Sequence, residues 1–449
     1  MFCRLKKFTY LSAVKQNRNF NFFTVKVQQI SSNVSPYSGI SFVNYEFDRI
    51  GMSELIDKEL GARVKTVGFS YSSILRSFTN VFCCGGDCAE DIQGPLGKHL
   101  KSIPGNSVPS ADTLLRGVKE LATENLPFTS KQNKEYSFNI NTKLNDLNVK
   151  SLLLTGQLQE GGCYDFDYDN QIIATEKYDA KNTYKKVKGY SPGVATIGNK
   201  IVYIENRDGN ANVKFEQAAT LTRAYTVLAD NGIKVNRSRM DAGSYAKDIV
   251  DVVSENSKLF YIRANKCEDL LLQISKIDTW EEVEINYIKY EVASMAFTQF
   301  HAGKNYRLVV MREKTKNIQG DLFTGDAFAY RSILTNDHQG TEKEVIEYYN
   351  QRGSNEKVFD VMNNDFGWDC LPCSFMNENT VYLIIMAMAK NFYAYFVEKV
   401  SLVFDDIMPT TRLKRFIFRF ISVAGKWVYS GRQWVLKLYT EKPYEALIS

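Results

Sequence analysis

The spacing of hydrophobic positions changes period along the chain. Between residues 46 and 130 apolar side chains recur at steps of three and four. Tyr71, Ile74, Leu75, Phe78 and Phe82 make one helical stripe, which Gly85-Gly86 ends. Ser110 is a good N-cap for a second amphipathic segment, and Arg116 and Lys119 point away from its apolar side. From about residue 160 the period drops to two. Cys163 to Asp169 alternates strictly, with Tyr164, Phe166 and Tyr168 on one face and Asp165, Asp167 and Asp169 on the other. Residues 194–197 and 201–204 flank Gly198-Asn199-Lys200 as a tight hairpin. A helical stripe (Phe215, Ala218, Leu221, Tyr225, Leu228) then runs to a stop at Gly232. A strand over 233–240, a helix over 245–253 and a strand over 259–263 follow. Strand-like segments at 283–292, 306–311 and 327–334 interrupt this order, before helical spacing returns at 342–362 and dominates the C-terminus.

This succession predicts an α/β protein in six segments. They are an N-terminal tail (1–45), a helical region (46–155), the first part of an α/β core (156–265), a β-rich insertion (266–335), the second part of the core (336–375) and a helical C-terminal region (376–449). Short helices broken by Gly and followed by a basic one are compatible with a helix-turn-helix unit, and equally with a plain bundle. No stretch reads as a membrane span. The best candidate, Val381 to Ala389, is nine apolar residues stopped by Lys390, where about 20 are required. The expectation is a cytoplasmic protein without a membrane partner.

Charge changes the picture more than composition does. At 449 residues, 44% hydrophobic and 24% charged, the chain is neither disordered nor a disulfide miniprotein. Its net charge of +5 is unevenly spread. Residues 1–45 hold six Lys/Arg and no acid, residues 410–449 hold eight Lys/Arg and two Glu, and the remainder carries 5 − 12 = −7. Basic ends around an acidic middle suit a protein that holds a polyanion by its flanks, or simply two solvated termini.

Eight scattered cysteines form no framework, which favours a reducing compartment. Cys370-Leu-Pro-Cys373 has the spacing of half a zinc site, and Cys84 with Cys88 could complete it only if the fold brought them together. Three histidines in no ligand pattern leave carboxylates as the donors for any catalytic metal, which favours a hard ion such as Mg²⁺. Three aspartates on one strand face repel unless that face meets solvent or a cation. Asp241 falls where a strand ends and the chain turns, a usual place for site residues in α/β sheets. Tyr349, Arg352, Glu356 and Asn363 share a helical stripe beside Ile346, Phe359 and Met362, so this face is expected to pack inward. An Arg352–Glu356 ion pair, or a metal shared between Glu356 and aspartates across a cleft, would satisfy it.

With these residues the chain resembles the DDE transposases of bacterial insertion sequences, which have a ribonuclease-H-like core. Tyr349, Arg352 and Glu356 match the family's Y-x2-R-x3-E-x6-K motif, with Asn363 standing where the family has Lys. Phe166-Asp167-Tyr168-Asp169 and Arg239-Met240-Asp241-Ala-Gly243 match its two aspartate patterns. Lys188-Gly-Tyr-Ser-Pro-Gly-Val-Ala-Thr-Ile-Gly, Ile204-Glu-Asn-Arg-Asp-Gly-Asn-Ala-Asn and Ser422-Val-Ala-Gly-Lys-Trp are similar to the branch numbered thirteen-eighty.

The resemblance implies a mixed ribonuclease-H-like sheet flanked by helices, interrupted by a β-rich insertion and bracketed by helical N- and C-terminal regions. It implies Asp167, Asp241 and Glu356 as metal-binding catalytic residues, with Mg²⁺ or Mn²⁺ as the ion; Asp169, on the same strand face as Asp167, is the alternative first ligand. Tyr349, Arg352, Asn363, Arg116 and Trp280 are then the expected DNA contacts. Trp280, the one tryptophan of the insertion, also reads as an anchor of that segment's own core. The partners implied are double-stranded DNA, both terminal inverted repeats and target, and a second copy of the chain. The expected activity is cut-and-paste transposition by a bacterial, nucleoid-associated enzyme. A repeat-binding protein without catalysis and a structure-selective nuclease on the same core remain alternatives.

Overall fold

The computed structural model describes residues 27–28, 33–63, 68–94, 96–300, 303–314 and 328–448. The six basic residues of the N-terminal tail, Arg4 to Lys26, lie outside the described residues. Five helices open the fold: α1 (Ile40–Arg49), α2 (Met52–Leu60), α3 (Tyr71–Cys83), α4 (Gly97–Lys101) and α5 (Ala111–Glu120). Thus α1 begins inside the stretch expected as tail. Ser70 and Ser110 cap α3 and α5 by accepting the backbone N–H three residues on. The helical expectation fails next, because Pro127 cannot continue a helix. Strands β1 (Asn125–Thr129) and β2 (Glu135–Asn139) form a hairpin there, before α6 (Thr142–Leu154).

The core follows as β3 (Cys163–Asn170), three short strands β4 (Ile173–Ala174), β5 (Lys181–Asn182) and β6 (Lys188–Tyr190), then β7 (Gly193–Ile197), β8 (Lys200–Arg207), α7 (Gln217–Asp230), β9 (Lys234–Met240), α8 (Lys247–Asn256) and β10 (Ser257–Arg263). In space these run β8-β7-β3-β9-β10, with β8, β7 and β3 antiparallel and β3, β9 and β10 parallel. An antiparallel meander joined to two parallel strands through helical crossovers is the ribonuclease-H-like arrangement, as the sequence led us to expect.

The insertion contains α9 (Glu268–Ile274), β11 (Glu281–Ile285), β12 (Ile288–Phe297), β13 (Tyr306–Lys314) and β14 (Phe328–Thr335). It continues the core sheet, since β14 pairs antiparallel with β10. Among the described residues eleven strands form one sheet, in the order β1-β2-β8-β7-β3-β9-β10-β14-β13-β12-β11.

The helix expected over 342–362 is two helices, α10 (Glu342–Asn350) and α11 (Ser354–Asp365), joined by a 3-10 turn at Gln351–Gly353. Gly353, a weak helix former, sits at the junction. The tighter turn breaks the single stripe that the spacing implied. The C-terminal part holds α12 (Met376–Ser401), α13 (Leu413–Phe416) with a π turn after it, and a hairpin of β15 (Gly425–Ser430) and β16 (Gln433–Leu438) where helix was expected. At 26 residues α12 is long and apolar enough to cross a membrane, more than its nine-residue run suggested. Yet 89% of its apolar window is buried inside the protein. It is the axis around which α1, α2, α3, α5 and α6 pack, through Ile74, Phe78, Tyr382, Ile385 and Phe392 among others. Buried Asn391 on α12 fixes this layer to the sheet by donating to Ile201 O at 2.8 Å and accepting from Ile201 N–H at 3.1 Å.

Candidate active site

Alternation along β3 turns Phe166 and Tyr168 into the core and the three aspartates to the opposite face. The parallel register with β9 sets Asp167 opposite Arg239 and Tyr168 opposite Met240. Because β9 alternates too, Arg237, Arg239 and then Asp241 share the aspartates' face. Each aspartate consequently has an arginine. Arg237 donates to Asp165 at 2.5 Å, Arg239 holds both oxygens of Asp167 at 2.7 and 2.8 Å, and Arg352, from the turn between α10 and α11, donates to Asp169 at 2.9 Å. This pairing removes the repulsion that three carboxylates on one face would otherwise create.

The pairs are not equivalent. Asp167, expected as first metal ligand, is 1% exposed, and Arg239 engages both its oxygens. Burial raises its pKa, and the Arg239 guanidinium opposes that rise. Arg239 also donates to Tyr348 O at 2.9 Å, and the Tyr348 ring lies under both Arg237 and Arg239, at 3.9 and 4.6 Å. The Asp167–Arg239 pair therefore clamps the end of α10 onto the sheet.

Asp169 is one alternation further on, at the carboxyl end of β3, with a fifth of its side chain exposed. Its pKa is raised by burial first, pulled down by Arg352, and raised again by the nearby charge of Asp241. The two acids brought together at the strand ends are therefore Asp169 and Asp241. Asp241 is aimed by its own turn, accepting from Gly243 N–H at 2.9 Å. A Cβ at position 243 would come within 2.9 Å of that same oxygen and of Val213, so a larger residue there would push the carboxylate out of this position. Arg352 is bonded to Asp169; burial works against its charge, but Asp169, Tyr349 and the more distant charge of Asp241 raise its pKa.

The other expected residues are more dispersed. Tyr349 is buried, and burial raises its phenol pKa. Glu356 is exposed on the first turn of α11, and no described residue makes an ion pair or side-chain hydrogen bond with it. Asn363 is half-buried near the end of α11, and Arg116 is exposed on α5. Trp280 packs on the core of the sheet, its indole N–H donating to Ile277 O at 3.0 Å and its ring covered by Arg312 at 4.0 Å. The zinc pattern does not assemble: Cys84 and Cys373 are buried, while Cys370 is exposed with its sulfur 4.0 Å from Asp87. The group of potential ligands that forms among the described residues is Asp87, Cys88 and Asp91.

Sequence reasoning passed over Arg237, Arg239 and Tyr348. The signal was present in Arg237-Ser-Arg239-Met-Asp241, whose period of two matches that of β3.

A family model described as transposase DDE domain, group 1, matches residues 23–449. The chain belongs to this family of DDE transposases. Among curated proteins none matches the sequence. Among solved structures, this DDE-family chain is similar to one described as a piggyBac transposase synaptic complex with hairpin DNA, studied by cryo-EM. The two share 12% identity at a TM-score of 0.41, over 86% of this chain and 80% of that one.

Proposed function

We propose that the chain is a cut-and-paste DNA transposase of the thirteen-eighty branch, bacterial and nucleoid-associated. In this reading it acts as a homodimer on the terminal inverted repeats of its element. The observation that carries the reading is that the parallel β3–β9 register sets Asp169 and Asp241 side by side at the strand ends, with Arg352 bonded to Asp169. Asp169 takes the place first expected of Asp167, whose oxygens are committed to Arg239.

The donor set fits a hard divalent ion. Asp169 and Asp241 offer only oxygen, and their mutual repulsion is offset by a single guanidinium. Together with Glu356 from α11 they would hold Mg²⁺ or Mn²⁺. When bound, such an ion activates the attacking oxygen and neutralises charge at phosphorus and on the leaving oxygen.

The chain's own residues do the rest. Arg352, held beside Tyr349, offers a planar donor to a phosphate oxygen. The Asp167–Arg239–Tyr348 clamp keeps that turn in place while DNA binds. Exposed Arg116 on α5, with Asn363 and the basic ends, would contact the duplex backbone. Water attacks phosphorus at each element end, the P–O3′ bond breaks, and the 3′-oxygen leaves as a hydroxyl. That hydroxyl then attacks another phosphate, displacing a second 3′-oxygen and joining the strands.

Incubating the purified chain with linear DNA bearing the element's ends and Mg²⁺ tests this. Cleavage at the ends followed by strand joining, absent in Asp241→Asn, is expected. Binding without cleavage would leave a repeat-binding protein, and cutting of branched DNA without joining would leave a nuclease.

A further inference from the structure

The β15–β16 hairpin is fastened at its base and half-exposed towards its tip. Ser35 N–H donates to Gly425 O at 2.8 Å and Gly425 N–H returns a bond to Ser35 O at 3.0 Å. Leu436 and Leu438 pack on the helical core. Further out, Gln433 and Trp434 line an open cavity together with Phe42 and Tyr45 of α1. Tyr429 and Trp434, directly opposite each other with ring centres 5.3 Å apart, are 61% and 53% exposed.

The other face of the ribbon is basic. The register sets Lys426 directly opposite Lys437, a like-charge pair that disfavours the hairpin unless an anion lies against it. The turn is Gly431-Arg432, with φ of +60° and +63°. A two-residue turn with both φ positive favours Gly, Asn or Asp, yet here an exposed arginine stands at the apex. Residues 407–440 contain seven Lys/Arg and no Asp or Glu. Arg412 is neutralised by Asp360 and Asp365, whereas Lys426, Arg432 and Lys437 form no ion pair with a described residue.

We propose that this ribbon grips duplex DNA, with Lys426, Lys437 and Arg432 on the phosphates and the Tyr429–Trp434 tip against a groove. Charge complementarity selects that occupant. Two copies of the ribbon packed tip to tip would bring six uncompensated cations together, whereas a duplex supplies phosphates and a major groove wide enough for a two-stranded ribbon. The inference rests on the proposed function for its partner and adds the element that holds it.

The test uses the full chain and its Lys426→Gln/Arg432→Gln/Lys437→Gln variant, with thermal melting as the check on folding. Affinity for an end-bearing duplex is measured by fluorescence anisotropy over a range of salt. Loss of three phosphate contacts should reduce the slope of log K against log salt by about 2.7. Trp434→Phe should abolish the part of the tryptophan emission that DNA shields from acrylamide. An unchanged salt slope in the folded triple variant overturns the proposal. So does a Trp434→Ala variant that turns a dimer into a monomer with the slope intact, since the ribbon would then join protein copies. Wild-type cleavage, measured separately, shows whether the transposase reading has failed instead.

Discussion

Arg239 holds both oxygens of Asp167, at 2.7 and 2.8 Å, from the strand alongside. The next carboxylate on the same face, Asp169, is left to share the sheet end with Asp241. One acid of the run thus braces the sheet, and the next is held by Arg352 beside Asp241.

These roles separate by mutation. Asp167→Asn should lower stability by roughly 3–5 kcal/mol, because it leaves Arg239 buried without its counter-charge. Asp169→Asn should keep the melting temperature close to wild type and reduce end cleavage by ~100-fold or more. The reverse pattern, a stable but inactive Asp167→Asn beside an active Asp169→Asn, would return the catalytic role to Asp167.

Glu46 gives α1 an acid-sensitive anchor. Burial disfavours its charge, but Arg49, Lys399 and Tyr395 bring its pKa down from 4.5 to about 2. Lys399 and Tyr395 reach it from α12 at 2.6 and 2.5 Å. A pKa depressed by folding means stability that is fully present above about pH 4.5 and lost as pH falls through about 2. Glu46→Gln should remove on the order of 3 kcal/mol at pH 7 and flatten the unfolding profile between those values. Equal acid sensitivity in wild type and variant would assign the effect elsewhere.

Lys390 works in the other direction. It is 4% exposed on α12 and donates to Asn199 O, while burial first and then Lys200 lower its pKa from 10.5 to about 7. Between those values the unfolded chain keeps a proton that the folded chain has lost, so stability should rise with pH across that window. Lys390→Met should raise stability at pH 7 by roughly 1–4 kcal/mol and abolish the rise. Urea titrations at pH 7 and pH 9.5 measure both, and a destabilised variant would show that the amine contributes more than its burial costs.

Trp280 should matter to folding first. With its N–H bonded and one ring face under Arg312, Trp280→Ala should cost roughly 2–4 kcal/mol, less than a fully buried tryptophan. A variant of wild-type stability with weakened DNA binding would instead make the ring a DNA contact.

Much of the core was legible because its signals are local. Strict alternation marked β3, Gly198-Asn-Lys marked the β7–β8 hairpin, and Gly232 marked the end of α7. The β1–β2 and β15–β16 hairpins were missed because their strands are only five or six residues long, too short to establish a period. The break at Gly353 was hidden because a three-residue 3-10 turn shifts side chains without changing the spacing in sequence. The choice between Asp167 and Asp169 depends on what lies opposite each in the neighbouring strand. That register is a property of the fold and cannot be read from either strand alone.

The position of the two acids within the sheet has a consequence for how the molecule comes apart. Strands β3 and β9 are fifth and sixth of the eleven, and pairing with neighbours flanks both on each side. Openings of a sheet start where hydrogen bonds are fewest, at β1 and at β11, and travel inward at rising free energy. Amides around Asp167 and Arg239 should therefore exchange with solvent only in the largest openings, while the outer strands of the insertion breathe freely. The outermost strands can therefore open while β3 and β9, which carry Asp169 and lead into Asp241, stay paired.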